Sequence, residues 1–267
     1  SDLNTQIVCT AAAPLTHTPE HGAVLQDEVL YGMTIAVLEK KSDWIYIETP
    51  YRYRGYLPAD CAVAANYPAN LTVSAPFCDL LNEPRVDSAL NLSVPRGSLL
   101  LSCGMEQDGW LAVRQIDSNR TCYVKADRVT PRAPYPETPD EAVFRKKVIR
   151  TAYSYLGAPY RWGGKTMAGI DCSGFCSMCY LLNGVVIYRD ARIESGFPVH
   201  SVPIEHAKAG DLLYFPGHIA LYLGEGRFLH ATARSGDDGV VTASLNPSDP
   251  DFRADLAASL LTAGSIF

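Results

Sequence analysis

The sequence lacks any long apolar run. Nowhere does it hold the roughly 18 consecutive apolar residues of a membrane-crossing helix, so no membrane span is expected. Basic residues are scarce as well: 23 Lys and Arg face 29 Asp and Glu, a net charge of −6, and the longest basic run is Arg145-Lys146-Lys147. With no electrostatic footprint for a phosphate backbone, nucleic acid is not an expected partner. The opening Ser1-Asp2-Leu3-Asn4 has no basic region followed by an apolar core, so no secretory leader is visible. Charge of either sign is modest at 19%, against 47% hydrophobic residues, a balance that excludes a disordered polyelectrolyte and supports buried cores. A length of 267 residues fits one large domain or two to three small ones.

Cysteine, by contrast, is plentiful. Cys9, Cys61, Cys78, Cys103, Cys122, Cys172, Cys176 and Cys179 form an even set, but a chain this long needs no staples, and the first five are scattered among apolar residues. Buried thiols are expected, which favours a reducing, cytoplasmic compartment over an oxidising one.

The first half carries a diverged internal repeat. Gly32–Leu38, Asp43–Ile47 and Arg54–Asp60 reappear about 66 residues later as Gly97–Cys103, Gly109–Val113 and Thr121–Asp127, in the same order and around Trp44 and Trp110. Short alternating β-branched and aromatic runs between turn residues predict two small all-β barrels, the alternative being one larger β-sandwich. Prolines 131, 134, 136 and 139 then remove backbone donors and fix φ, which predicts an extended connector. The expected organisation is module 1–68, module 69–130, a Pro-rich linker 131–140 and a C-terminal domain 141–267.

Past the connector, Thr138 and Glu141 have capping-box spacing, and Phe144, Val148, Ile149, Ala152, Tyr155 and Leu156 recur at helical intervals up to Gly157. A second helix is predicted from Asp171-Cys172-Ser173 to Leu182, stopped by Asn183-Gly184. Strands are predicted at 211–215, 218–223, 227–231 and 240–244. Helices followed by antiparallel strands make this half α+β.

Cys172 falls at the start of the second helix, after the turn Gly163-Gly164, where the helix dipole and unpaired N–H groups favour a nucleophilic thiolate. His218 opens one strand and His230 lies in the next. If the two pair as a hairpin through Gly224-Glu225-Gly226, both imidazoles face one pocket, His218 placed to take the thiol proton and His230 to orient it. A single histidine is usually an ordinary core or surface residue; three matching parts weigh against that here.

These residues resemble the NlpC/P60 family of cell-wall cysteine peptidases. The match runs through Gly157–Gly164, Asp171–Phe175, Gly210-Asp211-Leu212, His218–Gly224 and Phe228–Ala231, and spans most of 141–267. The resemblance implies an α+β papain-like fold with Cys172 as nucleophile, His218 as base, His230 as orienting group and Tyr160 beside the oxyanion site. It implies hydrolysis of peptidoglycan peptides between γ-D-glutamate and a diamino acid. The N-terminal modules resemble bacterial SH3-type domains. In one branch of the family, two of them precede the peptidase and restrict it to peptides with a free N-terminal L-Ala. That branch implies an amine site drawing on Asp171 and Ser173, together with Glu28 and Tyr53 or Tyr56. No metal or organic cofactor is required, and a monomer is expected.

Three rivals have sequence support. Cys172-x3-Cys176-x2-Cys179 has the spacing of radical enzymes with an iron–sulfur cluster and S-adenosylmethionine. Only 88 residues follow Cys179, with strand pattern instead of repeated βα units, so Cys176 and Cys179 are expected as core residues on one helical face. Gly163-Gly164-Lys165-Thr166 hints at a phosphate loop, but Pro159 stands where its first glycine belongs. A non-catalytic cell-wall binding protein built on the two modules is opposed by the intact Cys172, His218 and His230 set.

Overall fold

The computed structural model describes residues 4–118, 120–132 and 139–267. Residues 1–3, most of the expected connector (133–138) and Thr138 of the expected capping box lie outside the described residues. The chain divides into two compact units, Ser1–Ala133 and Pro134–Phe267.

The first unit is built from short antiparallel strands. A seven-stranded sheet runs in the order Leu25–Leu30, Ala12–Thr16, Arg54–Pro58, Trp44–Glu48, Thr34–Lys41, Asn4–Val8, Ala62–Val63. Two further sheets follow, one of four strands (Leu90–Pro95, Phe77–Leu81, Thr121–Lys125, Trp110–Arg114) and one of three (Leu99–Leu100, Leu71–Val73, Val129–Pro131). The sequence repeat has a structural counterpart: a strand beginning at tryptophan, a second strand, a 3-10 turn (Ala59–Cys61 or Ala126–Arg128) and a closing strand. Period-two alternation sets which side chains go inward. In Thr121–Lys125, Cys122 and Val124 are buried while Thr121 and Lys125 stay exposed.

The two repeats share a core. Ile7, Tyr31 and Tyr67 cluster with Val73, Leu80 and Val124 of the second repeat. The Leu99 N–H donates to the Tyr31 carbonyl at 2.8 Å, and the Ile116 N–H donates to the Tyr31 hydroxyl oxygen at 3.1 Å. Gly32 makes this approach feasible: its φ is +84°, and a Cβ there would lie 2.1 Å from the Leu99 carbonyl oxygen.

In the second unit, helix α1 (Glu141–Tyr153) buries Phe144, Val148 and Ala152. It is capped by Asp140, whose carboxylate accepts from the Val143 N–H at 2.9 Å. Glu141 instead pairs with Arg145 one turn on. α1 stops at Tyr153, short of the expected Gly157, and Tyr155 still reaches the core from the turn that follows. Helix α2 (Cys172–Leu181) is buried along nearly its whole length. A six-stranded antiparallel sheet runs His200–Val202, Thr262–Ser265, Leu212–Phe215, His218–Gly224, Arg227–Thr232, Gly239–Ser244. The last four strands match the expected ones to within a residue or so; the first two and the short helix α3 (Ala254–Ser259) were not predicted. Among the described residues no helix is long and apolar enough to cross a membrane.

Candidate active site

The site is assembled at the first turn of α2. Asp171 is the N-cap: its Oδ1 accepts from the Gly174 N–H at 2.7 Å, and its Oδ2 accepts from the Gly163 N–H at 2.7 Å. One carboxylate thus satisfies an orphan donor of the helix and ties the preceding glycine turn to it. The contact is close enough to demand glycine, because a Cβ on Gly174 would lie 2.3 Å from the Gly164 carbonyl oxygen. Cys172 follows as the first helical residue, 9% exposed, with the Ile219 and Ser173 backbone N–H groups directed at its sulfur. Ile219 follows His218, so α2 packing against the strand His218–Gly224 brings the thiol to the backbone next to His218.

The two histidines meet as the hairpin predicts. His218 Nε2 lies 2.7 Å from His230 Nδ1 across the pair of strands. His230 is fully buried against Phe228, and His218 packs on Phe215. This pairing occupies Nε2 of His218 and leaves Nδ1 for the sulfur. If His218 is to accept a proton at Nδ1, its Nε2–H must donate to His230 Nδ1, which fixes His230 as the Nε2–H tautomer.

Burial sets the protonation states. It pushes the Cys172 thiol up to about 11, with Asp171 adding to the rise against the opposing N–H groups and Arg189. It also pulls His218 down to about 4 and His230 down to about 3. The expectation of a resting thiolate is therefore corrected: desolvation outweighs the helix terminus, and at neutral pH the pair is thiol and neutral imidazole. Tyr160 is half-buried, and burial with the nearby Cys172 and Asp171 charges raises its phenol to about 12, so it remains a proton donor.

Arg189 was not singled out from the sequence. Its side chain is 1% exposed, and its Nη1 donates to Asp171 Oδ1 at 3.1 Å and to Ser173 Oγ at 2.8 Å. Its Nη2 donates to the Gly163 carbonyl at 3.2 Å. Asp171 and Ser173, both assigned to an amine site, are thus tied to a buried guanidinium. In the first unit, Glu28 and Tyr53 are buried, and the Tyr56 ring packs on Tyr46 at 4.9 Å between centroids. Cys176 and Cys179 are fully buried in α2, as core residues.

The profile of the NlpC/P60 family matches residues 157–249, which include Cys172, His218 and His230. Dipeptidyl-peptidase 6 of Lysinibacillus sphaericus is 40% identical over 98% of this chain and 99% of its own. The chain belongs to the NlpC/P60 family. A gamma-D-glutamyl-L-lysine dipeptidyl-peptidase of Bacillus cereus is 28% identical over 78% of this chain and 67% of its own. The crystal structure of an NlpC/P60 family protein from Bacillus cereus, 22% identical, covers 97% of this chain and 98% of its own with a TM-score of 0.78. The fold is that expected: an α+β papain-like catalytic unit preceded by two small all-β SH3-like barrels.

Proposed function

We propose that this member of the NlpC/P60 family is a cysteine peptidase that hydrolyses peptidoglycan-derived peptides between γ-D-glutamate and a diamino acid. The supporting observation is the 2.7 Å pairing of His218 with His230 beside the thiol that opens α2. The relatives named for γ-D-glutamyl-L-lysine dipeptidyl-peptidase activity support the bond chosen.

In this mechanism Cys172 gives its proton to His218 Nδ1 as its sulfur attacks the γ-carbonyl carbon of D-glutamate. The Cys172 backbone N–H and the Tyr160 hydroxyl hold the oxyanion. Collapse of the tetrahedral intermediate breaks the C–N bond, and His218 passes its proton to the departing amine of the diamino acid. The neutral imidazole then takes a proton from water, hydroxide adds to the thioester, and the thiol is regenerated as the carboxylate leaves. His230 keeps the His218 ring aligned and stabilises its charged form. No step needs a metal or organic cofactor.

The modules are assigned as 1–68 and 69–130, the linker as 131–140 and the peptidase domain as 141–267, acting as a monomer. A free N-terminal L-Ala is selected through its ammonium, with Glu28, Tyr53, Tyr56, Asp171 and Ser173 as its recognition set. The test is digestion of defined muropeptides with free and acetylated L-Ala termini, the products identified by mass spectrometry. Cleavage of free-amine peptides after γ-D-glutamate is expected; equal use of both sets rejects the amine selection, and no cleavage of either leaves a binding protein.

A further inference from the structure

The two groups that hold the oxyanion in the mechanism above sit on two short segments. One is the first turn of α2, where Cys172 is the opening residue and so presents a backbone N–H with no partner inside the helix. The other is the turn 159–164, which carries Tyr160. Backbone bonds join the two: the Ile170 N–H donates to the Pro159 carbonyl at 2.9 Å, the Arg161 N–H to the Ile170 carbonyl at 3.2 Å and the Asp171 N–H to the Gly164 carbonyl at 3.2 Å. All three stop at Asp171, one residue short of Cys172.

Arg189 continues the frame past the cysteine. It lies in the irregular stretch after α2 and is 1% exposed, yet its guanidinium touches both segments at once. Nη1 donates to Asp171 Oδ1 at 3.1 Å and to Ser173 Oγ at 2.8 Å, so it binds both residues that flank Cys172. Nη2 donates to the Gly163 and Gly164 carbonyls at 3.2 and 3.5 Å, at the end of the turn that carries Tyr160. Gly174 leaves room for it, because a Cβ there would stand 3.2 Å from Nη2. A planar fork with donors on two nitrogens can span these acceptors, whereas a lysine ammonium is a single point of charge. Burial strengthens these charge-assisted bonds and keeps water from replacing them.

We propose that Arg189 is a positioning residue for the oxyanion site: by clamping both neighbours of Cys172 to the glycine turn, it fixes the direction of the Cys172 N–H relative to the Tyr160 hydroxyl. This rests on the cysteine-peptidase reading above. The donors must point to where the oxygen stands only after the sulfur has attacked, so a small rotation of the peptide plane at Cys172 costs the transition state more than it costs the bound peptide. The amine site is less dependent on the clamp. Without Arg189, the Asp171 carboxylate still accepts from the Gly163 and Gly174 N–H groups, which hold it in place.

The experiment uses the full chain, a free-amine L-Ala-γ-D-glutamyl-diamino acid peptide and three readouts. These are the single-turnover rate at saturating peptide, the Kd of the uncleaved peptide in a Cys172→Ala background, and the inhibition constant of the matching γ-D-glutamyl aldehyde. The Cys172 sulfur adds to the aldehyde carbon and the thiol proton passes to its oxygen, which then occupies the oxyanion site. Arg189→Lys is expected to lower the rate and weaken the aldehyde in parallel, each by about 10- to 100-fold, with the peptide Kd within about threefold of its wild-type value. A merely structural role would lower the urea midpoint without separating rate from affinity. A rate or an aldehyde affinity that stays at the wild-type value, or an equal loss in all three readouts, overturns the proposal. Ser173→Ala removes the Arg189–Ser173 bond alone and decides the matter if Arg189→Lys does not fold: its saturated rate is expected to fall about tenfold, and an unchanged rate overturns the clamp. Failure of the underlying reading is separately visible, because the wild type would then leave the peptide intact or Cys172→Ala would retain turnover.

Discussion

At the scale of single residues, the site depends on charges kept from water. Arg189 and Asp171 are both buried, so removing Arg189 takes this counter-charge from the Asp171 carboxylate. Arg189→Met is expected to destabilise the second unit by about 3–5 kcal/mol, measurable as a lowered urea midpoint. The histidine pair predicts a pH effect of definite sign. Both imidazoles take up protons near 6.5 when unfolded but only at about 4 and about 3 when folded. Stability is therefore fully present above pH 6.5 and falls as pH drops from 6.5 towards 3, at a rate of at most about 2.7 kcal/mol per pH unit from the two groups together. Thermal melts between pH 7 and 5 should show this slope in the wild type and a shallower one in the His218→Gln, His230→Gln double variant; equal slopes would contradict it. Cys172, His218 and His230 were legible in the sequence because a helix start and a hairpin are local patterns that carry side chains to known places. Arg189 was not, since it lies in an irregular segment and is buried only by what folds over it.

At the scale of elements, caps and packing decide the boundaries. α1 takes Asp140 as its cap, one residue before the glutamate that the spacing had paired with Thr138. Asp140→Ala is expected to cost about 1 kcal/mol, read from chemical denaturation. The apolar period that runs on to Leu156 overstated the helix, because Tyr155 enters the core from a turn. The strand Thr262–Ser265 escaped notice for a different reason. Thr-Ala-Gly-Ser has neither the β-branched nor the aromatic pattern of a strand, yet it pairs on both sides, with His200–Val202 and with Leu212–Phe215. Its glycine fits beneath Tyr214, where a Cβ would come within 2.7 Å of the ring. Tertiary pairing supplied what local propensity lacked.

At the scale of the whole molecule, duplication and division of labour stand out. Two diverged copies of one β-module share a core through Tyr31 and Tyr67, and the proposed catalytic residues Cys172, His218 and His230 all lie in a separate α+β unit. The periodicity exposed the repeat, but it carried no sign that the copies would merge, because the merging rests on long-range apolar contacts of Tyr31 and Tyr67, one close glycine approach and a few hydrogen bonds. Glu28 tests whether the first module has a part in selection. Glu28→Gln is expected to lower the preference for free-amine over acetylated peptides by at least about tenfold in kcat/KM, with acetylated peptides little affected. An unchanged ratio would remove Glu28 from the amine site.

The central claim, that the Cys172 sulfur is the attacking atom, is tested most directly by the turnover of Cys172→Ala on a free-amine L-Ala-γ-D-glutamyl-diamino acid peptide, with folding verified by circular dichroism. A loss of at least about 10⁴-fold in kcat from a folded variant is predicted. A folded Cys172→Ala protein that still cleaves the peptide at a rate near that of the wild type would contradict it.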